Sequence, residues 1–274
     1  MLDLTIAIPV KNEVSILPVC LEAIGRDLAN NLIIIDSGST DGTKEIAIEW
    51  GATVIDFIWD GKYPKKRNWF LLNYTPKTEW VLFLDADEIV SDDFKNELRN
   101  TLPHTSMNGF WLNYSIYFMG KKLRGGYPLQ KLALFRIGKG LYERIDEDNW
   151  SQLDMEIHEH PIIDGPVGKI KSPIDHLDDR GIDHYIAKHE AYAQWEASRF
   201  INAKNNPIIK KSWTWKQRIK YMLMGTPFSG LVFFIGSYFL LRGFIDGQRG
   251  FKFSLLKMRY FNQVYRNIQQ LKVK

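Results

Sequence analysis

The sequence predicts an α/β fold: a mostly parallel central sheet with helices on both faces, continued by a basic, amphipathic helical extension. Three features carry that prediction. Short unbroken apolar runs recur through the first hundred residues, a helical pattern follows each, and basic residues gather at the C-terminal end. Apolar runs at Leu4–Pro9, Leu32–Ile35, Thr53–Phe57 and Trp80–Leu84 have the length and continuity of strands covered on both faces. Helices are expected between them at about Ser15–Arg26, Gly42–Trp50 and Lys65–Tyr74, with another starting at Asp92 and capped by Ser91. Repeated β-α-β units imply right-handed crossovers and a doubly wound sheet, with ligands at the strand carboxyl ends. Further strands are expected at Asn108–Gly120 and Leu129–Ile137, separated by the loop Lys121–Gly126, and a helix from Asp183 to about Ala203.

The chain has 274 residues, enough for one α/β domain and an appendage, and the expected division is 1–203 and 204–274. Its one cysteine, Cys20, excludes an internal disulfide framework and fits a reducing compartment. Residues 4–9 read as the first strand and not as a signal core, so secretion is not expected. The net charge of +4 is unevenly spread. Residues 204–274 hold 14 Lys and Arg against one acid, Asp246, a balance of +13; the other 22 bases and 31 acids leave −9. Such asymmetry suits nucleic acid or an anionic membrane. The apolar stretch Phe228–Leu241, bounded by Pro227 and Arg242, favours the membrane. At 14 residues it falls short of the ~20 a spanning helix needs. Trp213, Trp215, Tyr221, Tyr238 and Phe244 interleave with Lys210, Lys211, Lys216, Arg218, Lys220 and Arg242, as in helices lying in a bilayer interface. The alternative is a helix packed on the main domain with solvated lysines.

Candidate chemistry sits where strands end. Trp80–Leu84 runs into Asp85-Ala86-Asp87-Glu88. Carboxylates so close repel each other, which invites Mg²⁺ or Mn²⁺, and such an ion could also meet a diphosphate; the same acids could instead open a loop or cap a helix. Pro9-Val10-Lys11-Asn12-Glu13 closes the first strand, and Asp36-Ser37-Gly38-Ser39-Thr40-Asp41-Gly42-Thr43 follows the second. Asp36 could accept hydrogen bonds from a uracil or ribose, while Ser39, Thr40 or Asp41 could simply cap a helix. Lys65-Lys66-Arg67-Asn68 could face a diphosphate or be a solvated helix end. The chain lacks Gly-x-Gly-x-x-Gly and the P-loop Gly-Lys-Ser/Thr, which argues against nicotinamide enzymes and NTPases.

Taken in order, Ile8–Glu13, Asp36–Thr43, Lys66–Asn68 and Phe83–Glu88 resemble the family-2 inverting glycosyltransferases of the GT-A fold, whose sheet is Rossmann-like. The remainder resembles the branch that holds the lipopolysaccharide-core β-glucosyltransferases, through Tyr127-Pro128, Leu134-Phe135-Arg136, Ile157-His158-Glu159, His176, Tyr185–Lys188 and Gly243–Phe251. Two positions depart from that branch: Lys131 stands where an arginine is expected, and Tyr127 where a tryptophan is common. They leave the acceptor open.

The resemblance implies a nucleotide-sugar site formed by Pro9, Val10, Asn12, Glu13, Asp36, Ser39, Asp41, Lys66, Arg67, Asp85 and Ala86. Within it Asp85 lies near ribose and metal, Asp87 ligates the Mg²⁺ or Mn²⁺, and Arg67 helps to neutralise the leaving phosphates. A carboxylate is the usual base of the family, which singles out Glu159; His158 competes for that role, and His158 or His176 could support the metal. A zinc site of His158, His160 and His176 is disfavoured, because no cysteine cluster accompanies them. The expected reaction moves a hexose from UDP-glucose, UDP-galactose, UDP-GlcNAc or UDP-GalNAc to a lipid-linked glycan of the cell envelope. The expected location is the cytoplasmic face of the inner membrane, with no nucleic-acid partner. An undecaprenyl-linked O-antigen or capsule intermediate is the alternative acceptor, and a non-catalytic nucleotide-binding membrane scaffold the alternative function.

Overall fold

The computed structural model describes the chain except for residues 146–150, 152, 155, 157–160, 178–180, 206–214 and 274. Its centre is β1 (Leu2–Val10), which pairs in parallel with β2 (Ala29–Asp36) on one side and β4 (Trp80–Phe83) on the other; β3 (Thr53–Asp56) extends the sheet beyond β2. Every residue of β1 except Asp3 is buried. Alternation explains why the strand is apolar throughout. Ile6 and Ile8 point into the layer holding Leu17, Leu21 and Ile24 of α1 (Leu17–Ile24) and Phe94 and Leu98 of α4 (Asp92–Thr101). Ala7, with Ile33, Ile35, Val81 and Phe83, belongs to the opposite layer, under Phe70 of α3 (Lys66–Asn73). α2 (Thr43–Trp50) contributes Ala47 to the first layer.

Past β4 the direction changes. β8 (Leu129–Arg136) runs antiparallel to both β4 and β6 (Gly109–Phe118), so the sheet is mixed, in the order β3-β2-β1-β4-β8-β6-β12-β5. The last two strands, β5 (Glu88–Ile89) and β12 (Ile174–Leu177), pair antiparallel. β7 (Lys121–Lys122) and β11 (Val167–Lys169) attach to β6, and β9 (Gly140–Tyr142) pairs with β10 (Pro161–Ile163) separately. The expected elements are present, with ends shifted by a few residues. Ser91 caps α4 as expected, its hydroxyl accepting from the Phe94 N–H at 3.1 Å.

Contacts divide the chain into two units, residues 1–116 with 129–177, and residues 117–128 with 178–274. The boundary drawn from charge, at 203/204, therefore differs from the one drawn by contacts: charge marks surfaces, whereas cores are marked by side chains such as Ala193 and Ala197. Those two belong to α5 (Ile182–Asn205), and they pack with Tyr221 and Met224 of α6 (Trp215–Met224) and with Phe261, Val264 and Ile268 of α8 (Gly247–Val273). α7 (Ser229–Ile235), a π-turn at Gly236–Leu240 and a 3₁₀ turn at Gly243–Asp246 lie between α6 and α8. The ring of Phe233 stacks on Phe261 at 3.4 Å. Asp246 reaches the excursion Tyr117–Pro128, its carboxylate accepting from the N–H groups of Arg124 at 3.0 Å and Gly125 at 2.8 Å.

Candidate active site

Parallel pairing brings the ends of β1, β2 and β4 to one edge of the first unit. Val10 is level with Asp36, and Ala7 with Phe83, so Asp85, two residues past Phe83, reaches the level of Pro9. Pro9, Val10 and Ala86 are buried and shape this edge through their backbones.

The loops after β1 and β2 are tied together. Asn12, in the left-handed region at φ 57°, donates its N–H to Ser39 Oγ at 2.9 Å and accepts from the Thr40 N–H at 2.9 Å. The N–H of Glu13 goes to Thr43 Oγ1 at 2.9 Å, and Asp41 accepts from the N–H groups of Val14 and Thr43. Asp41 and Ser39 thus brace the loops, while Gly42 precedes the first turn of α2 without a side-chain cap.

Asp36 is fully buried. Its Oδ2 accepts from the N–H groups of Gly38 at 2.8 Å and Ser39 at 2.9 Å, with Lys44 Nζ at 3.5 Å. Burial works against the charged form, but Ser39, Gly38 and Lys44 outweigh it and hold the carboxyl below its ordinary value. Oδ1 is buried with no hydrogen-bond partner among the described residues. A buried acceptor left this way is costly unless a donor reaches it.

The acidic pair separates in role. Asp85 receives Arg67 Nη2 on Oδ1 at 2.6 Å and Lys131 Nζ on Oδ2 at 2.7 Å. Lys131 also meets Glu88 Oε1 at 2.5 Å and lies 5.2 Å from the Tyr114 ring centroid. Burial opposes ionisation of Asp85, yet Lys131 and Arg67 carry its pKa well below the usual carboxylate range. Glu88 goes the other way: burial, with the nearby Asp85 and Asp87 charges, pushes it up to about 7 against the pull of Lys131. Asp87 belongs to a different arrangement. Its carbonyl accepts from the Leu177 N–H at 2.8 Å, and β12 sets His176 Nε2 3.7 Å from Asp87 Oδ1.

Mg²⁺ or Mn²⁺ in nucleotide sites commonly takes one or two protein groups, with phosphate oxygens and water completing the shell. Asp87 and His176 fit that requirement as a carboxylate oxygen and a ring nitrogen side by side. Among the described residues no cluster of three or more His, Cys, Asp or Glu forms a full protein cage. Both oxygens of Asp85 are engaged by cations.

α3 starts at the same edge, and its first turn is capped from far along the chain. Glu156 accepts from the N–H groups of Arg67 at 3.0 Å and Asn68 at 2.9 Å, and Arg67 Nη1 donates to the Glu156 carbonyl at 2.9 Å. Asp154 accepts from Ser37 Oγ at 2.6 Å and pairs with Lys66 Nζ at 3.2 Å. Burial lowers the pKa of Lys66 against the raising effect of Asp154. The sequence reading did not single out Asp154, Glu156 or Lys44, and it met Lys131 only as a departure. Their contacts lie far apart along the chain or depend on burial. The acid-rich stretch before the Ile-His-Glu block was the one available hint for Asp154 and Glu156. Glu159 and His158 lie outside the described residues.

The sequence model of Glycosyl transferase family 2 matches residues 5–150, more than half of the chain, and the chain belongs to that family. Its mixed sheet with flanking helices is of the GT-A type. Among individual relatives, it is 25% identical over 265 residues to the lipopolysaccharide core biosynthesis glycosyltransferase LpsC of Rhizobium meliloti, covering 89% of this chain and 86% of LpsC. It is 34% identical over 102 residues to a TPR repeat-containing protein of Synechococcus elongatus, covering 37% of this chain and 25% of that protein. Glucosyl-3-phosphoglycerate synthase from Mycobacterium tuberculosis, solved with Mn²⁺, UDP and glucosyl-3-phosphoglycerate, matches with a TM-score of 0.33 and 23% identity over 42% of this chain and 44% of that chain. The chain therefore spans a quarter of the Synechococcus protein and less than half of the solved synthase.

Proposed function

We propose that the protein is a divalent-metal-dependent inverting glycosyltransferase that moves a hexose from a UDP-sugar to a lipid-linked glycan of the cell envelope, at the cytoplasmic face of the inner membrane. The observation that carries the reading is Asp36: a buried carboxylate with one unpaired oxygen, on the edge where Arg67, Asp85 and Asp87 also converge. An unpaired buried acceptor suits the N–H of a base or the hydroxyl of a ribose. The full-length likeness to LpsC supports an acceptor in the lipopolysaccharide core.

In this reading Asp36 orients the nucleoside, and the braced Asn12–Ser39–Asp41 loops hold the wall against which it rests. Lys66 and Arg67 draw the diphosphate to the start of α3, where fixed charge costs no reorganisation during reaction. Asp87 and His176 would hold Mg²⁺ or Mn²⁺, which supplies charge neutralisation for the departing diphosphate. Glu159 takes the proton from the acceptor hydroxyl as that oxygen attacks the anomeric carbon. The bond from that carbon to the UDP oxygen breaks with its electron pair leaving on UDP, so configuration inverts.

The test is a panel of UDP-glucose, UDP-galactose, UDP-GlcNAc and UDP-GalNAc with Mg²⁺ or Mn²⁺ and lipid-linked core fragments, read as acceptor-dependent UDP release. One donor should predominate, and Asp87→Ala and Glu159→Gln should each lower turnover by at least about 10²-fold. Wild-type turnover in both variants would refute the assignment of roles, and absence of transfer from every donor would refute the reaction.

A further inference from the structure

The second unit is built inside out along one stretch. Where α7 and the turns after it meet α8, small residues hold most of the buried positions, Ser229, Gly230, Ser237, Gly243 and Ser254, beside the buried rings of Phe253 and Phe261. The positions facing away are large and apolar: Phe228, Leu231, Ile235, Phe239, Leu240 and Phe244, with Leu240 78% and Phe228 66% exposed. In water the opposite distribution is expected, since burying the large side chains is the main favourable term. In a bilayer the surroundings are as apolar as leucine, so helices associate through small residues and turn their large apolar side chains outward.

This surface is fixed in place by close packing. A Cβ at Gly230 would collide with the Asn262 side chain and the Met258 carbonyl, and one at Gly250 with the carbonyl of Gly243. The Ser229 hydroxyl donates to the Phe261 carbonyl at 3.3 Å. Among the described residues no single helix is long and apolar enough to cross a membrane; the segments Ser229–Leu240 and Gly243–Lys272 pass such a test only as a pair bent by 73°. The first of these rises roughly 18 Å at helical pitch, about half of a ~30 Å hydrocarbon core. The bend carries Arg242, and Arg249 and Lys252 follow in the first turns of α8, with Asp246 the only acid between 204 and 274 and turned to the 124–125 backbone.

We propose that the corner from Phe228 to Phe251 is a monotopic insertion surface: it enters one leaflet of an anionic bilayer, with Phe239 and Leu240 deepest and Arg242, Arg249 and Lys252 at the phosphate level. Apolar depth, inverted packing and adjacent bases together select a lipid leaflet over a second copy of the chain, whose matching surface would repel it with the same charges. The inference goes beyond the transfer reaction and does not depend on the donor.

Flotation of the full chain with phosphatidylcholine vesicles, with and without phosphatidylglycerol, tests it. Wild type should float with both and more completely with the anionic ones, and Phe239→Glu combined with Leu240→Glu should lower the bound fraction by about tenfold or more. Circular dichroism and cooperative unfolding of the double variant establish that it is folded. A second measurement uses Leu240→Cys carrying an environment-sensitive dye; Cys20 is buried with its thiol pushed up by burial, so the introduced thiol is the reactive one. The dye should shift to the blue on adding anionic vesicles and be quenched by brominated acyl chains. A dye that stays in water with vesicles present, or that is buried by dimerisation in their absence, would overturn the proposal. Neither readout uses turnover, so a failed donor panel leaves this test intact.

Discussion

Lys131 is the residue on which two carboxylates depend. It sits between Asp85 and Glu88, and removing it leaves Asp85 facing the buried carboxyl of Glu88. Because Lys131 itself is partly exposed, Lys131→Met should cost about 2 kcal/mol of unfolding free energy, below the range for a fully buried pair. Lys131→Arg should retain most of the stability; chemical denaturation of the two variants measures the difference. Asp36 gives a pH dependence. Its folded pKa lies below the ordinary 3.8, so the stability it contributes is complete above that value and is lost as pH falls through the depressed folded one. Urea unfolding of wild type and Asp36→Asn should therefore show a stability gap at neutral pH that narrows under acid. Asp36 could be picked out of the sequence because it ends an apolar strand before a Gly-rich turn. The Lys131–Glu88 pairing could not, because β8 reaches β4 by an antiparallel register that local pattern does not encode.

Helix starts are secured here in two ways, one local and one remote. α4 carries its own cap: Ser91 was recognisable beside Asp92 and Asp93, and Ser91→Ala should cost about 1 kcal/mol in thermal or urea unfolding. α3 has no side-chain cap of its own, and Glu156 supplies it from 88 or 89 residues away. Glu156→Ala should destabilise by at least about 1 kcal/mol, since it leaves two N–H groups without their acceptor beside the buried Arg67. The effect should also exceed that of Ser91→Ala, and comparing the two midpoints checks this. The strands β1 to β4 were legible because unbroken apolar runs and glycine-punctuated turns are local signals. The short strands β5, β7 and β9 to β12 were not, because they are defined by their partners more than by their own composition.

For the whole molecule, the division into two units predicts two unfolding transitions. The proposed nucleotide site belongs wholly to the first unit, so UDP with Mn²⁺ should raise the unfolding midpoint of one transition and leave the other in place. At a hundredfold excess over the dissociation constant the gain is about 2.7 kcal/mol. Calorimetry with and without UDP and Mn²⁺ provides the check, and equal shifts of both transitions would count against a site confined to one unit. The sequence showed a basic extension, but it could not show that α5 and Tyr117–Pro128 share a unit with it. Those memberships rest on Phe118 against Tyr185 and Phe253, and on the reach of Asp246 to the Arg124 backbone.

That reach of Asp246 has an electrical consequence. With the tail's one carboxylate committed to backbone N–H groups, the stretch 204–274 presents an excess of cations, of which Lys220 and Arg259 pair with Glu196 and Glu190 of α5. Adding salt should weaken its attraction for an anionic surface over the ~10 Å screening length at ~0.1 M. Mild acidification should not weaken that attraction, because arginine and the exposed lysines stay charged and Lys257, lowered by burial to about 8, only gains charge as pH falls. The extension thus behaves as an electrode of fixed sign, tuned by ionic strength and not discharged by mild acid.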